Sequence, residues 1–307
     1  MDDLPGIISL AREMGFAQVQ IATNGVKLAM DLEFCRSLQR NGLNTVYLQF
    51  DGVTSAPYIA LRGKNMLHIK LKAVDNMRRV GYNSQVLIPA LARVVNDDHV
   101  GDIVRFASGK LDIIKGINFQ PASFAGRIDA SERKEKRLTI PDFLSLLEEQ
   151  TDNQIACEDF YPVPFVGPIT KLIAAETGWP QPVFTVHPCC GAATYLYIDG
   201  GKILPITRFL DVEALLDRIG NVVENFDGSS LGKRKMRGMI LKEIPEFVDE
   251  AKVPDGLNIN KLLLSVLWDG TRGSQTEFHN KSLFIGAMHL QDVYTMDIER
   301  LQSCGVH

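Results

Sequence analysis

The feature that most constrains the fold is an alternation of strand-like and helix-like segments between residues 18 and 127. Apolar runs rich in β-branched residues occupy residues 19–23, 46–50, 86–91 and 113–119, and the first three lead into segments with helical periodicity. This alternation is typical of parallel βα units. The sequence therefore predicts an α/β fold whose first part contains parallel strands.

Polar residues lie where each predicted strand ends. In parallel βα folds the loops at the carboxyl ends of the strands carry the chemistry, because several strands can direct side chains into one space there. We therefore expect this rim to bind a polar small molecule, although residues 96–98 fit helix capping as well as ligand contact. The candidate residues are, strand by strand, Thr23, Asn24 and Gly25; Gln49, Asp51 and Gly52; Asn96, Asp97 and Asp98; and Asn118, Gln120 and Arg127.

The composition is that of an ordinary globular chain. Its 307 residues carry a net charge of -4 and 45% of them are hydrophobic, so a full core can be buried. Basic and aromatic residues do not interleave, and we expect no nucleic-acid partner. The first residues lack the basic segment of a signal peptide, and no apolar run approaches the roughly 20 residues of a membrane span. These observations predict a cytoplasmic protein.

A charged stretch divides the chain into two predicted domains. Residues 130–137 are dense in charge and have the composition of a solvated linker, so we expect domains at 1–129 and 130–307. The basic run at 232–237 fits either a solvated helix face or a contact with an anionic lipid headgroup. Association with a membrane surface therefore stays open.

The predicted strand ends resemble those of the radical S-adenosylmethionine superfamily, whose fold is a partial six-stranded (β/α) barrel. Residues 21–25, 48–52 and 116–121 are similar to the ends of strands three, four and six, and residues 85–91 correspond to strand five. The resemblance implies a partial (β/α) barrel in the first domain, followed by an α+β C-terminal domain that holds substrate or an auxiliary cluster.

Longer phrases at 94–106, 187–195 and 285–294 resemble the archaeal tetraether lipid synthase branch of that superfamily. The resemblance implies binding of S-adenosylmethionine and a four-iron four-sulfur cluster. It also implies a 5'-deoxyadenosyl radical that activates C–H bonds and couples the alkyl chains of a lipid substrate. Apolar residues 262–268 fit either the lining of a lipid tunnel or plain core.

The same resemblance assigns roles to the polar rim. It places Asn24 and Gly25 in the S-adenosylmethionine pocket, Gln49 and Asp51 near the ribose or the substrate, and Asn118 and Gln120 near the adenine or the substrate. Amides and carboxylates at strand ends suit ribose hydroxyls, because they offer two hydrogen bonds in fixed geometry. The alternative for each residue is a turn or cap role.

The sequence departs from the superfamily pattern at the cluster. It contains neither the CxxxCxxC motif that binds the catalytic cluster nor the GGEP segment that contacts the methionine amine. We therefore expect a chain truncated at both ends, which performs no radical chemistry alone. Such a chain is either a subunit that a separately encoded N-terminal piece completes or a non-catalytic remnant.

Five cysteines are too few for a disulfide framework in a chain of this length, so they are buried thiols or metal ligands. The resemblance favours Cys190 as a cluster ligand and makes Cys157 and Cys304 the other candidates, whereas Phe165 stands where relatives carry a further cysteine. A zinc-binding (β/α) protein that uses the same three cysteines is the remaining alternative.

Overall fold

The computed structural model describes residues 3–16, 18–178, 181, 183, 185–255, 257, 259 and 280–305. The chain forms two compact units. The first comprises Met1–Cys157 and Ser282–Met296, and the second comprises Glu158–Lys281 and Asp297–His307. The boundaries of these units differ from the sequence-based division at residue 130, and that division into domains stays a prediction.

The secondary structure of the first unit follows the predicted alternation. Its strands and those of the second unit are β1 (Gln20–Thr23), β2 (Thr45–Gln49), β3 (Gln85–Ile88), β4 (Ala90–Leu91), β5 (Ile114–Pro121), β6 (Tyr161–Pro162), β7 (Gly191–Asp199), β8 (Lys202–Pro205) and β9 (Ser282–Met288). The helices are α1 (Leu4–Glu13), α2 (Val26–Met30), α3 (Leu32–Arg40), α4 (Ala56–Arg62), α5 (Leu67–Arg79), α6 (Val100–Ser108), α7 (Ala130–Lys136), α8 (Ile140–Gln150), α9 (Gly167–Thr177), α10 (Val212–Glu224), α11 (Ser230–Glu243) and α12 (Ile298–Ser303).

The first unit is built on a parallel sheet in the order β1-β2-β3-β5-β9, with β4 paired to β5. Strand β9 comes from far along the chain and extends this sheet beside β5. The predicted fold class is confirmed: the protein has a mixed α/β fold with the parallel sheet of a partial (β/α) barrel and a further C-terminal part.

The two faces of the parallel sheet differ in burial, because successive side chains of a strand point to opposite faces. One face packs against helices and is fully buried; Phe50 stacks on Phe106 of α6, and Phe119 packs on Phe143 of α8. The other face, here named the inner face, carries half-buried side chains and two buried glycines. Its residues are, in two neighbouring rows, Tyr47, Val86, Gly116 and Phe284, and Gln49, Ile88, Asn118 and Gly286.

Local sequence signals start two of the helices that flank this sheet. Asp31 caps α3 by accepting a hydrogen bond from the backbone N–H of Phe34 at 2.9 Å. Thr139 and Asp142 form a reciprocal capping box at the start of α8, whose predicted early proline is present. Asp142 also pairs with Arg93 at 2.9 Å, which ties α8 to the segment after β4.

The second unit contains a small antiparallel sheet, in which β7 pairs with both β6 and β8. Helices α9, α10 and α11 supply most of its apolar core, including Leu172, Leu216, Ile219 and Met236. The predicted tunnel-lining residues 262–268 lie outside the described residues. Among the helices that the structure describes, none is both long enough and apolar enough to cross a membrane.

Candidate functional site

The parallel register brings the predicted site residues to one edge of the inner face. Gln49 of β2 lies beside Ile88 of β3, and Asn118 of β5 lies beside Gly286 of β9. Asn24 follows the last residue of β1 and is therefore level with Gln49. Because neighbouring strands lie about 4.8 Å apart, Gln49 and Asn118 are roughly 10 Å apart across the sheet. This spacing suits a planar molecule laid across the strand ends.

Asn118 and Gln120 are the polar groups most available to such a molecule. They are two residues apart on β5 and so share the inner face, where both are half-buried. Neither amide makes a hydrogen bond within the part of the chain that the structure describes. A Cβ at Gly286 would lie 3.4 Å from Asn118 Oδ1, so glycine there keeps the space beside this amide open.

Asn24 and Gly25 form the turn between β1 and α2. Asn24 Oδ1 accepts a hydrogen bond from the N–H of Val26 at 3.1 Å, and Gly25 adopts a positive φ of 79°. A Cβ at Gly25 would lie 2.7 Å from Leu48 Cδ1. Gly25 is thus required by the backbone, and the exposed Asn24 keeps its amide N–H groups for other partners.

Asp51 lies in a buried cluster behind the rim. Its carboxylate accepts two hydrogen bonds of 3.0 Å from the Arg62 guanidinium and one of 3.2 Å from the N–H of Ala90. The side-chain amide of Gln49 donates to the same carboxylate. The hydrogen bond to Asp51 is the largest cause of a raised pKa at Arg62. The structure therefore places Asp51 behind Gln49, where it can act on a ligand through that amide.

Lys70 of α5 is a site residue that sequence reasoning missed. It is 1% exposed, and its ammonium donates to the carbonyl of Asn24 at 2.5 Å and to Gln49 Oε1 at 3.1 Å. Burial disfavours the charged form and lowers the pKa of Lys70 to about 8, although Asp51 opposes this effect. One signal could have revealed it: Lys70 occupies the buried stripe that continues through Ala73 and Met77.

Asn96, for which capping and ligand contact were both open, caps no helix with its side chain. It is fully buried; its amide donates to the carbonyls of Asp51 and Ala90 at 2.9 and 2.8 Å, and its Oδ1 accepts from the N–H of Ala92. Asn96 thus fixes the backbone of the loops that follow β2 and β4. The neighbouring residues Asp97 and Asp98 lie in a short 3₁₀ turn nearer the surface.

Two other predicted rim residues have different positions. Gly52 is buried, and its carbonyl accepts a hydrogen bond from the Tyr58 hydroxyl at 2.8 Å. A Cβ there would approach Pro57 Cγ to 2.8 Å, so the close approach of α4 requires a glycine. Arg127 is exposed.

Asp292, in the loop after β9, holds the loop that follows Gln120. Its carboxylate accepts hydrogen bonds from the N–H groups of Phe124 at 2.9 Å and Tyr294 at 3.0 Å, and from Arg137 at 2.8 Å. Burial alone raises the pKa of Asp292, but these donors outweigh it and lower the pKa to about 2. The loops after β5 and β9 are therefore joined at one carboxylate that is ionised at neutral pH.

The predicted metal ligands do not form a metal site in the part of the chain that the structure describes. Cys157 is exposed and belongs to the first unit, whereas the buried Cys190 and the half-buried Cys304 belong to the second. No group of three or more His, Cys, Asp or Glu residues among those described could hold a metal ion. An iron–sulfur cluster needs several thiolates around it. The described residues do not fit such a cluster, so we assign no reaction step to these cysteines.

Comparison with known proteins bears on the superfamily. No protein-family model matches the chain. The chain is 45% identical over 309 residues to 7,8-dihydro-6-hydroxymethylpterin dimethyltransferase of Methanocaldococcus jannaschii. This similarity supports the radical S-adenosylmethionine superfamily. It covers 99% of the chain, which spans 61% of the length of that relative.

A weaker similarity concerns a solved structure. A domain of pyruvate-formate lyase-activating enzyme from Bacteroides vulgatus matches 50% of this chain and 88% of its own length, with 16% identity and a TM-score of 0.37. An overlap this small supports no conclusion. The curated relative supports the superfamily prediction but not the tetraether lipid synthase branch, truncation or a separately encoded N-terminal piece.

Proposed function

We propose that this chain forms the ligand-binding core of a radical S-adenosylmethionine methyltransferase that acts on a reduced pterin or a closely related heterocycle. The observation that carries the proposal is the 45% identity to the pterin dimethyltransferase, which extends over 99% of the chain. An identity of this size over both units favours a related substrate class.

The inner face supplies suitable recognition groups. Asn118 and Gln120 present two half-buried amides without hydrogen-bond partners among the described residues, and Gln49 presents a third amide at the same edge. Pterins and the adenine of S-adenosylmethionine are planar and carry donors and acceptors along their edges, which amides can match in pairs. S-adenosylmethionine bound here would supply the methyl group or the radical precursor of the reaction.

Binding measurements test this proposal directly. We expect S-adenosylhomocysteine and 6-hydroxymethylpterin to bind the protein in isothermal titration calorimetry. The variants Asn118→Ala and Gln120→Ala should each lower the affinity for at least one of these ligands about tenfold or more. Asn41→Ala is the matched control, because among the described residues that amide bonds only to the carbonyl of Ser37, at the end of α3. If neither S-adenosylhomocysteine nor 6-hydroxymethylpterin bound the protein, the proposal would be overturned.

An activity assay completes the test. The protein in its full reading frame, reduced under anaerobic conditions, should methylate 7,8-dihydro-6-hydroxymethylpterin in the presence of S-adenosylmethionine, as detected by mass spectrometry. Loss of methylation in Asn118→Ala and Gln120→Ala, with activity retained in Asn41→Ala, would support the site assignment.

Coupling of lipid alkyl chains is the competing proposal and has only the resemblance of residues 94–106, 187–195 and 285–294 behind it. An archaeal ether lipid belongs in the same binding series. Binding of that lipid without binding of the pterin would favour the lipid reaction. Zinc binding by Cys157, Cys190 and Cys304 is the weakest alternative, since the described residues bring no three such ligands together.

A further inference from the structure

The side-chain amide of Gln49 has two partners of opposite chemistry. Lys70 donates to Oε1 at 3.1 Å, and Nε2 donates to the carboxylate of Asp51. An ammonium can only donate, and a carboxylate can only accept. Rotating the amide by half a turn would place Nε2, a donor, against the Lys70 ammonium and Oε1, an acceptor, against the Asp51 carboxylate. The two neighbours therefore permit one orientation of Gln49.

Both partners are themselves immobile. Lys70 is fully buried and also donates to the carbonyl of Asn24 at 2.5 Å. Asp51 is fully buried, and both its oxygens bind the Arg62 guanidinium at 3.0 Å. Neither group can turn toward water to accommodate a rotated amide, because such a turn would leave a buried charge unpaired.

One half of the hydrogen-bonding capacity of Gln49 remains for a ligand. An amide has two acceptor positions on oxygen and two N–H groups. Lys70 uses one acceptor position, Asp51 uses one N–H group, and no other described residue bonds to this amide. Gln49 is half-buried on the inner face, level with Asn118. It therefore retains one donor and one acceptor whose order cannot be exchanged.

We propose that Lys70 and Asp51 are positioning residues that lock the Gln49 amide, and that Gln49 thereby selects a heterocycle edge by the order of its donor and acceptor. This inference rests on the proposed function, since it requires a planar heterocycle at the inner face. The adenine edge offers an amino donor beside a ring-nitrogen acceptor. The lactam edge of a pterin offers a carbonyl acceptor beside a ring N–H donor, which is the reverse order.

Two commercially available nucleosides test the lock. Adenosine carries the amino–imine edge, and inosine carries the lactam edge on the same sugar and ring system. We expect the protein to prefer one of them at least tenfold in calorimetric titration, since a mismatched donor–acceptor pair costs about this factor or more. A preference for adenosine assigns the edge to S-adenosylmethionine, and a preference for inosine assigns it to a lactam substrate such as a pterin.

The variant Lys70→Met should reduce this preference, because Oε1 loses the donor that holds it and Asp51 alone then orients the amide. Lys115→Met is the control and should keep the preference: Lys115 is a half-buried lysine whose ammonium donates to the carbonyl of Leu111 at 2.5 Å, near the start of β5. Circular dichroism verifies folding of both variants.

Gln49→Leu gives a second test that does not depend on Lys70→Met folding. It leaves the Asp51–Arg62 pair in place and should also abolish the preference. Equal affinity of the wild type for both nucleosides overturns the lock, and so does a full preference retained in Gln49→Leu or in folded Lys70→Met. Failure of the wild type to bind either nucleoside or 6-hydroxymethylpterin overturns the proposed function instead.

Discussion

Two substitutions that break the same ion pair, Arg62→Met and Asp51→Asn, should have unequal effects on stability. Asp51 is fully buried, whereas 37% of the Arg62 side chain is exposed. Removing the guanidinium leaves a buried carboxylate whose hydrogen-bond donors among the described residues are the Gln49 amide and the Ala90 N–H. Removing the carboxylate charge leaves an arginine that water can solvate and a buried Lys70 that keeps its hydrogen bonds to Asn24 and Gln49. The arginine substitution should therefore be the more damaging.

The expected magnitudes follow from this asymmetry. An uncompensated buried charge costs about 3–5 kcal/mol, so Arg62→Met should lower the free energy of unfolding by about that amount. Asp51→Asn retains an acceptor for Ala90 and should cost about 1–2 kcal/mol. The double variant should be more stable than Arg62→Met alone, because it no longer buries an unpaired charge.

Chemical denaturation followed by circular dichroism measures all three variants. Arg36→Ala, which breaks an exposed pair with Glu33, is the control and should change stability by less than about 1 kcal/mol. Equal losses in Arg62→Met and Asp51→Asn, or a double variant less stable than Arg62→Met, would refute the reasoning.

Three further predictions concern pH and backbone. The pKa of Lys70 is lowered to about 8 from 10.5, so the unfolded chain binds more protons than the folded one between these pH values. The melting temperature of the wild type should therefore rise relative to that of Lys70→Met as the pH increases from 8 to 10. A smaller or unchanged difference would contradict the burial of a charged amine. The pKa of Asp292 is lowered to about 2 from 3.8, so its contribution to folding stability is complete above pH 4 and is lost as the pH falls through 2. The difference in melting temperature between wild type and Asp292→Asn should shrink over that range. A constant difference would exclude this linkage. Gly25→Ala should cost about 2 kcal/mol more than Gly15→Ala in denaturant unfolding, because both have positive φ but only the Cβ at residue 25 meets Leu48; equal costs would show that the neighbouring side chain yields freely.

Sequence reasoning located much of the first unit because its signals are local. The predicted runs at 19–23, 46–50, 86–91 and 113–119 contain all of β1 and β4, all but the first residue of β2 and of β3, and most of β5, and these strands are parallel. Periodicity and capping act within a few residues, so they can be recognised without a partner. The candidate rim residues Asn24, Gln49 and Asn118 followed from the same pattern, since strand ends must meet at one edge.

The buried cluster was not predictable in this way. Arg62 and Lys70 follow Asp51 by 11 and 19 residues along the chain, but the contacts of this cluster depend on how α4 and α5 pack behind β2. A lysine in a helical sequence normally indicates the solvated face. The spacing aligns Lys70 with Ala73 and Met77, but only the packed helix shows that its ammonium reaches the ends of two strands.

What the sequence determined by itself was the set of local elements in the first unit and the polar character of their carboxyl ends, because side-chain periodicity and turn chemistry are properties of short segments. Tertiary structure decided which groups became partners. It added β9 beside β5 from more than 150 residues away, buried Asp51, and placed Lys70 against Gln49. These outcomes depend on long-range strand pairing and on desolvation, which are properties of the whole folded unit.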